Sequence, residues 1–227
     1  LKDHPNIVRY EDHQVIPRAG EFGWDILIRM ELLTPFPDYY MDHGLSPSEV
    51  CRLGKEMCSA LIFFHQQGII HRDVKPSNLF VNSLGMFKLG DFGVSRTMGK
   101  STGTGRQGTE SYMAPEVYLN RHYGASVDIY SLGMMLYQLM NGGRLPFFPP
   151  AGQVVGYGDE DEALKLRMAG EAFPPPASAS PEFAAVILKA CAYDPAERYP
   201  DGQALLEDLG RLSFSAEPLV APKRKTV

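Results

Sequence analysis

A polar string, His71-Arg-Asp-Val-Lys-Pro-Ser-Asn78, constrains this chain more than any other feature. Asp91-Phe-Gly93 begins thirteen residues after the string, and Ala114-Pro-Glu116 follows further along the chain. An Asp-Phe-Gly tripeptide alone is a common turn, but three such strings in this order and at this spacing make a specific signal. The set predicts a site where acidic, basic and amide side chains carry out chemistry.

Composition is that of an ordinary globular protein. The 227 residues are enough for one or two domains with a sizeable core, and 44% of them are apolar and 22% charged. A net charge of −5 argues against a nucleic-acid-binding surface. Apolar runs such as Ala60–Phe64 are much shorter than a membrane span. We therefore expect neither a nucleic-acid partner nor a membrane segment in this chain.

The three cysteines, Cys51, Cys58 and Cys191, form neither a CxxC pair nor a zinc-binding spacing. Cys51 and Cys58 lie on one predicted helix, where their spacing separates them by roughly 10 Å, which is too far for a disulfide. Free thiols suit a reducing compartment, so we expect a cytoplasmic location.

Local patterns predict two strands at the start of the chain. Apolar patterning indicates strands at Ile7–Val15 and Trp24–Leu33, and in the second Ile26, Ile28 and Met30 alternate with Leu27, Arg29 and Glu31. Pro35 and Pro37 then break regular structure, and this break indicates a hinge.

A largely helical body follows the hinge. Ser46-Pro-Ser-Glu49 is a capping box that starts a helix with one apolar face, and Gly68 stops this helix. Ser126 is predicted to cap a helix from Val127 to Met140, which is apolar nearly all round and therefore buried. Further strands are predicted at Leu79–Val81 and Phe87–Leu89, and further helices at Asp159–Ala169, Ser180–Cys191 and Asp201–Leu212.

With its strings at His71–Asn78, Asp91–Gly93 and Ala114–Glu116, the chain resembles the catalytic half of a protein kinase. The resemblance covers about residues 1–212. It implies an α+β, protein-kinase-like fold with a mostly α-helical large lobe. In this reading residues 1–33 are a remnant of the β small lobe with its hinge strand, residues 34–212 the large lobe, and residues 213–227 an irregular basic tail.

The segment Leu1-Lys-Asp-His-Pro-Asn-Ile-Val8 is similar to the start of the fourth strand of a kinase small lobe. No glycine-rich loop, lysine-bearing strand or first helix precedes it in the sequence as given. Those parts hold the nucleotide phosphates in kinases. We therefore expect an N-terminally truncated kinase domain that by itself binds ATP weakly and transfers nothing detectable.

The resemblance implies ATP and Mg²⁺ as cofactors and assigns the reacting groups. Asp73 accepts or orients the proton of the substrate hydroxyl, and Lys75 places a cation beside the γ-phosphate during transfer. Asn78 and Asp91 supply oxygen ligands, which suit Mg²⁺ as a hard cation. Phosphoryl transfer depends mainly on holding these groups in line and neutralising charge.

The nucleotide pocket is implied in the same way. Met30 matches the gatekeeper position, and backbone groups of Glu31 and Leu33 would bind adenine. Phe80 would form the floor of the pocket, while Lys75 and Asp91 approach the phosphates. The alternative for residues 24–33 is a simple edge strand that leads into a loop.

Other residues match supporting positions of the family. His71 could be a general base, but the resemblance implies that it packs under Phe92 as part of a structural stack. Asp128 matches the aspartate that holds the backbone of the catalytic loop. Glu116 and Arg198 match a buried ion pair of the large lobe.

The loop from Thr97 to Gly108 suggests regulation. Arg72, beside the catalytic aspartate, can pair with a phosphate on this loop, for which Ser101, Thr102 and Thr104 are the candidates. The alternative is a loop rich in Ser, Thr and Gly with no switch. Such a phosphoprotein could modify itself in trans, which implies self-association.

Lys75 and Thr109 indicate the substrate class. A lysine two residues after the catalytic aspartate is the Ser/Thr-kinase pattern, and Thr109 matches the threonine that bridges the catalytic aspartate and lysine and positions the substrate. The reading is therefore a Ser/Thr protein kinase that acts on hydroxyls of protein substrates. The rival is a non-catalytic, pseudokinase-like binding module.

Overall fold

The computed structural model describes residues 4–18, 20, 22–90 and 110–214. The strands are β1 (Tyr10–Pro17), β2 (Trp24–Met30), β3 (Thr34–Pro35), β4 (Leu79–Val81) and β5 (Phe87–Leu89). The helices are α1 (Phe36–His43), α2 (Pro47–Gln66), α3 (Pro115–Tyr118), α4 (Ser126–Met140), α5 (Asp159–Ala169), α6 (Pro181–Ala190) and α7 (Gly202–Arg211). Short 3₁₀ turns occur at Pro76–Asn78 and Pro195–Glu197. The predicted α+β class is confirmed.

The strands form two separate antiparallel sheets. β1 and β2 make a hairpin in which Val15 lies opposite Ile26, and every residue of both strands is exposed. β3, β4 and β5 form a small sheet in that order. The first strand begins at Tyr10 and not at Ile7 as the pattern predicted, because Ile7 makes only an isolated parallel bridge to Leu89. The second strand ends at Met30 rather than at Leu33.

Helix α1 corrects the prediction of a break at the two prolines. Pro35 is the N-cap of this helix and Pro37 lies in its first turn. Proline is tolerated there because the first backbone N–H groups of a helix have no partner within it. Phe36 is 1% exposed and packs against the rings of Tyr40 and Phe87, each 5.9 Å away, which stabilises the helix by burial.

Helix α2 begins and ends as its signals predicted. The Ser46 hydroxyl accepts from the Glu49 backbone N–H, and the Glu49 carboxylate accepts from the Ser46 backbone N–H at 2.8 Å. Gly68 adopts a φ of +71°, which residues other than glycine rarely adopt. The apolar face of α2 is buried against α4 and α7.

Helix α4 lies at the centre of the helical body, and nearly all of its residues are buried. The prediction that Ser126 caps this helix is wrong, because the helix starts at Ser126 and the N-cap is Ala125, which has helical dihedral angles and no side-chain bond. Gly133 lets α4 approach α6 closely, since a Cβ there would lie 2.7 Å from Cys191 Sγ and 2.9 Å from Ala190 Cβ. Burial on every side explains the uninterrupted apolar pattern.

Candidate active site

The polar loop, residues 71–78, runs between α2 and β4, and Asp128 of α4 holds its backbone from the buried side. The Asp128 carboxylate is fully buried and accepts the backbone N–H groups of His71 and Arg72, each at 2.8 Å. Arg72 adopts a φ of +66°, a conformation that is costly for a residue with a side chain. The two hydrogen bonds to a buried carboxylate hold the loop in this conformation.

His65, in the last turn of α2, completes this support and was missed in the sequence. Its Nε2 lies 2.8 Å from Asp128 Oδ2 and donates to it, so the carboxylate receives three donors. The residue precedes the polar loop by six positions, but nothing in its local pattern points to a partner 63 residues away. Only the packing of α2 on α4 brings the two side chains together.

Asp73, Lys75 and Asn78 form a compact polar cluster at the surface of the loop. The Lys75 ammonium lies 2.8 Å from Asp73 Oδ2. The Asn78 side-chain amide donates to the same oxygen at 2.9 Å and to the Asp73 carbonyl at 2.8 Å. Because both bonds use the amide nitrogen, Asn78 Oδ1 is the atom of this residue suited to a cation. The Asp73 and Lys75 side chains are 14% and 19% exposed, so the cluster is fixed yet reachable from solvent.

His71 is engaged at both ring nitrogens and is 6% exposed. Its Nδ1 accepts the Asp73 backbone N–H at 3.3 Å, so Nε2 carries the proton and donates to the Gly90 carbonyl at 3.1 Å. The ring also lies edge-on to Phe64, with centroids 5.9 Å apart. This geometry favours a positioning role over proton transfer.

The strand β2 and the residues after it carry the positions that the resemblance assigns to the nucleotide pocket. Met30 pairs with Tyr10 across the hairpin and is 48% exposed. Leu33 is half-buried. Phe80 is half-buried and packs on Gly90, where a Cβ would lie 2.7 Å from the Phe80 ring. A small residue at position 90 therefore keeps the end of β5 close to this ring.

Glu31 forms a partly buried ion pair that the sequence did not reveal. Lys88, 7% exposed on β5, donates to Glu31 Oε1 at 2.7 Å, and the Arg9 backbone N–H donates to the same oxygen at 2.6 Å. Burial would raise the pKa of Glu31, but these hydrogen bonds outweigh burial and hold that pKa below its ordinary value. The backbone N–H of Glu31 donates to the Arg9 carbonyl at 3.1 Å. The pair therefore ties the end of β2 to β5.

Glu116 and Arg198 form the ion pair that the resemblance implied. Arg198 donates to both Glu116 oxygens, at 2.6 and 2.8 Å, and its side chain is fully buried. Its guanidinium also donates to the carbonyls of Ala192 at 2.7 Å and Tyr193 at 3.0 Å, and lies over the Tyr130 ring. The buried charge is thus paired and hydrogen-bonded on several sides.

Several predicted site residues lie outside the described residues, so the structure does not test them. These are Asp91, Phe92, Ser101, Thr102, Thr104 and Thr109. Within the described ranges, no group of three or more His, Cys, Asp and Glu side chains could hold a metal ion. The same ranges contain no helix with the length and apolarity needed to cross a membrane. The described part of the site fits a magnesium–phosphate ligand through the Asn78 amide oxygen and the Lys75 ammonium.

Comparison with known proteins gives a consistent match. The family model for the protein kinase domain matches residues 1–208. Serine/threonine-protein kinase PknB of Mycobacterium leprae and that of Mycobacterium tuberculosis are each 31% identical to the chain over 97% of its length. A probable serine/threonine-protein kinase of Corynebacterium efficiens is 34% identical over 94% of the chain. The chain spans about a third of the length of these relatives, 35% for PknB and 33% for the corynebacterial protein.

Proposed function

This chain belongs to the protein kinase family, and we propose that it supplies the catalytic machinery of a Ser/Thr protein kinase. The observation that carries the proposal is the cluster of Asp73, Lys75 and Asn78, with an ammonium and an amide both 2.8–2.9 Å from one carboxylate oxygen. The names of the relatives and the Lys75 and Thr109 pattern support serine and threonine as acceptors.

The reaction transfers the γ-phosphoryl group of ATP to a protein hydroxyl. The bond from the γ-phosphorus to the bridging oxygen breaks and releases ADP, and a bond from the γ-phosphorus to the substrate oxygen forms. The hydroxyl proton passes to Asp73 or to solvent. Mg²⁺ supplies charge neutralisation on the phosphates when bound. Asn78 Oδ1 and the Asp91 carboxylate are the ligands proposed to hold it.

Each described residue contributes a separate function to this chemistry. Asp73 orients the attacking hydroxyl, because its carboxylate is itself fixed by Asn78 and Lys75. Lys75 offers an ammonium to the developing negative charge. Glu31 and Leu33 offer backbone groups, and Phe80 an aromatic surface, on the side proposed to receive adenine.

The experiment that tests the proposal uses Asp73→Asn in the full-length protein. The variant keeps the size and hydrogen-bonding shape of the side chain but cannot accept the proton as a carboxylate does. We expect kcat to fall by about 10²-fold or more, with ATP affinity nearly unchanged. A radiolabel transfer assay and calorimetry with Mg-ATP measure the two quantities.

Asp42→Asn is the matched control, because Asp42 is an exposed aspartate on α1. It should transfer phosphate at the wild-type rate. Near-wild-type turnover by Asp73→Asn would remove Asp73 from the mechanism. Tight partner binding by a wild-type protein that transfers nothing would favour the rival, a pseudokinase-like binding module.

Regulation by loop phosphorylation is the finer part of the proposal. Arg72 is exposed beside the cluster, with its guanidinium 5.6 Å from the Tyr123 ring centroid, so it is accessible to a phosphate. Ser101, Thr102 and Thr104 are the proposed acceptors, modified in trans by a second copy. Active protein should carry phosphate on this loop by mass spectrometry. An unmodified loop, with unchanged rates in the triple alanine variant, would exclude the switch.

We propose a cytoplasmic location because the cysteines are unpaired. Cys51, Cys58 and Cys191 are all free and buried. Burial raises the pKa of the Cys191 thiol to about 12, so the thiol stays protonated and unreactive. Unpaired thiols of this kind are ordinary in a reducing compartment.

A further inference from the structure

Arg167, on α5, is a buried arginine that the catalytic chemistry does not use. The residue is 3% exposed. Its Nη1 donates to the Ser111 carbonyl at 2.7 Å, and its Nη2 lies 3.1 Å from the Met113 carbonyl and 3.5 Å from the Glu110 carbonyl. One guanidinium thus contacts three backbone carbonyls of a single four-residue segment, Glu110–Met113.

The surroundings of Arg167 differ from those of Arg198, which is also buried. Arg198 is neutralised by the Glu116 carboxylate. Within the described ranges, the hydrogen bonds of Arg167 go to carbonyl oxygens, and its Nε has no partner. Buried charges are normally paired, so the solvation of this cation depends on the carbonyls of Glu110–Met113 being in place.

The Tyr130 hydroxyl is a second buried polar group beside Arg167. The hydroxyl is buried near Arg167 and also has no hydrogen-bond partner within the described residues. Burial raises the pKa of Tyr130, and the nearby Arg167 cation opposes that effect. The guanidinium makes its geometrically defined hydrogen bonds to the carbonyls of the segment.

Helix α4 holds the same segment from another side. Ser131 Oγ donates to the Tyr112 carbonyl at 2.8 Å, and the Tyr112 hydroxyl donates to the Gln138 side chain. Both of these bonds are between neutral groups. Arg167 adds a full positive charge to the hydrogen bonds that it donates to the segment, and charge-assisted hydrogen bonds are about twice as strong as neutral ones.

The segment lies next in sequence to Thr109, the residue that the proposed function assigns to positioning the protein substrate. In sequence it follows Thr109 directly and precedes Ala114-Pro-Glu116. A small cleft opens beside it, and Glu110, Ser111, Leu145, Phe148 and Arg167 are among the residues that line this cleft. A backbone fixed at this place offers a rigid surface on which an acceptor peptide can be held.

We propose that Arg167 is a positioning residue for the protein substrate, acting through the backbone of Glu110–Met113. The inference rests on the proposed kinase function and adds a specific contact that sets how the acceptor is held. It assigns no contact between Arg167 and ATP or Asp73. Its loss should therefore affect use of the protein substrate and leave the nucleotide chemistry intact.

The test compares two reactions of the full-length protein carrying Arg167→Lys or Arg167→Gln. Transfer to an acceptor peptide needs the segment, whereas slow hydrolysis of ATP with water as acceptor needs only the polar cluster and the nucleotide. We expect peptide kcat/KM to fall about tenfold or more in Arg167→Gln, the scale of losing a charged hydrogen bond, and less in Arg167→Lys. The KM for ATP and the hydrolysis rate should stay within about twofold of wild type.

Two controls separate positioning from general support. Arg144→Gln removes an arginine that donates to the Gln153 carbonyl and has no bond to the segment, and Tyr130→Phe removes the hydroxyl beside Arg167. Both should keep wild-type peptide kinetics. If Arg167→Gln does not fold, Arg167→Lys keeps the charge, loses the planar fork and still provides the comparison.

The outcomes distinguish failure of the positioning role of Arg167 from failure of the proposed kinase function. Unchanged peptide kinetics in both Arg167 variants of an active enzyme would overturn the positioning role alone. Equal loss of peptide transfer and ATP hydrolysis would also overturn it, because Arg167 would then only support the fold. A wild-type protein that transfers no phosphate would defeat the proposed kinase function itself, and this inference with it.

Discussion

The polar loop and the β1–β2 hairpin are held in opposite ways. The loop has few backbone bonds of its own, and Asp128 on α4 and His65 on α2 fix its conformation from a buried position. The hairpin is held by its own antiparallel ladder, and all of its residues are exposed. The conformation of the loop that carries Asp73 therefore depends on the packed helices.

The difference indicates which substitutions should destabilise the fold most. The loop is coupled to the core, so it can open only if buried donors and acceptors lose their partners. The hairpin exposes large apolar side chains, with Trp24 at 67% and Ile26 at 61%. A two-stranded ribbon is marginal by itself in water. Changes in the loop supports should thus cost much more than changes in the hairpin.

The largest effect is expected for Arg198→Ala. Removing this side chain leaves the Glu116 carboxylate buried without its partner, which costs roughly 3–5 kcal/mol. Arg211→Ala is the matched control, because Arg211 pairs with Asp208 while 74% exposed, and such pairs contribute about 0–1 kcal/mol. Urea unfolding followed by circular dichroism measures both. Equal midpoints for the two variants would contradict the value of the buried pair.

The next effect is expected for Asp128→Asn. The amide keeps one acceptor for the Arg72 N–H but turns a donor group toward the His71 N–H and the His65 ring, so buried donors lose their partners. We expect a loss of about 2–3 kcal/mol in unfolding free energy and a large fall in turnover. Asp42→Asn should change neither quantity. Normal turnover in Asp128→Asn would mean that the loop holds its shape without the buried carboxylate.

The sequence predicted elements well where local chemistry alone decides them. Helix α2 was predicted at both ends because a capping box starts it and a glycine with positive φ follows it. Helix α1 was missed because Pro35 and Pro37 were interpreted as a break, although both lie where a helix needs no donor. The deciding factor for α1 is the burial of Phe36, which depends on tertiary contacts.

The candidate site shows the same limit. Asp73, Lys75 and Asn78 lie within six positions of one another, and the structure brings them together at hydrogen-bonding distance. His65 and Arg167 gave no signal, because a basic residue in the last turn of a helix is also favoured by the helix dipole. Their partners lie more than fifty positions away, so only the packing of the helices reveals what they hold.

A smaller, pH-dependent effect is expected where the hairpin joins the core. Hydrogen bonds from Lys88 and Arg9 hold the pKa of Glu31 below its ordinary value of 4.5 despite burial. A depressed carboxyl pKa contributes stability that is complete above pH 4.5 and lost as the pH falls through the folded-state pKa. Glu31→Gln should therefore be less stable than wild type at pH 7, and the difference should shrink below pH 4.5.

Trp24 is the single tryptophan of the chain and lies on the hairpin. Its fluorescence therefore follows unfolding of the hairpin, whereas circular dichroism follows unfolding of the helices. In Glu31→Gln the fluorescence transition should move to lower urea concentration more than the helical one. Glu11→Gln is the control, since Glu11 pairs only with the exposed Arg9 and Arg29 side chains among the described residues. A stability difference that stayed constant from pH 7 to pH 3 would show that the carboxylate charge of Glu31 is not what joins the two regions.

The smallest effect is expected from deleting one methyl group in each region. Ile187→Val trims a fully buried side chain on α6 and should cost about 0.5–1.5 kcal/mol, because a cavity remains in a packed core. Ile26→Val makes the same chemical change on β2, where the side chain is 61% exposed, so the cost should stay within about 0.5 kcal/mol. Valine keeps the β-branched shape that strands favour, so strand propensity does not confuse the comparison. Urea unfolding of both variants at several protein concentrations measures the difference. Equal costs for the two substitutions would mean that the apolar face of the hairpin is covered in solution, and a concentration-dependent cost for Ile26→Val would identify a second copy of the chain as the cover.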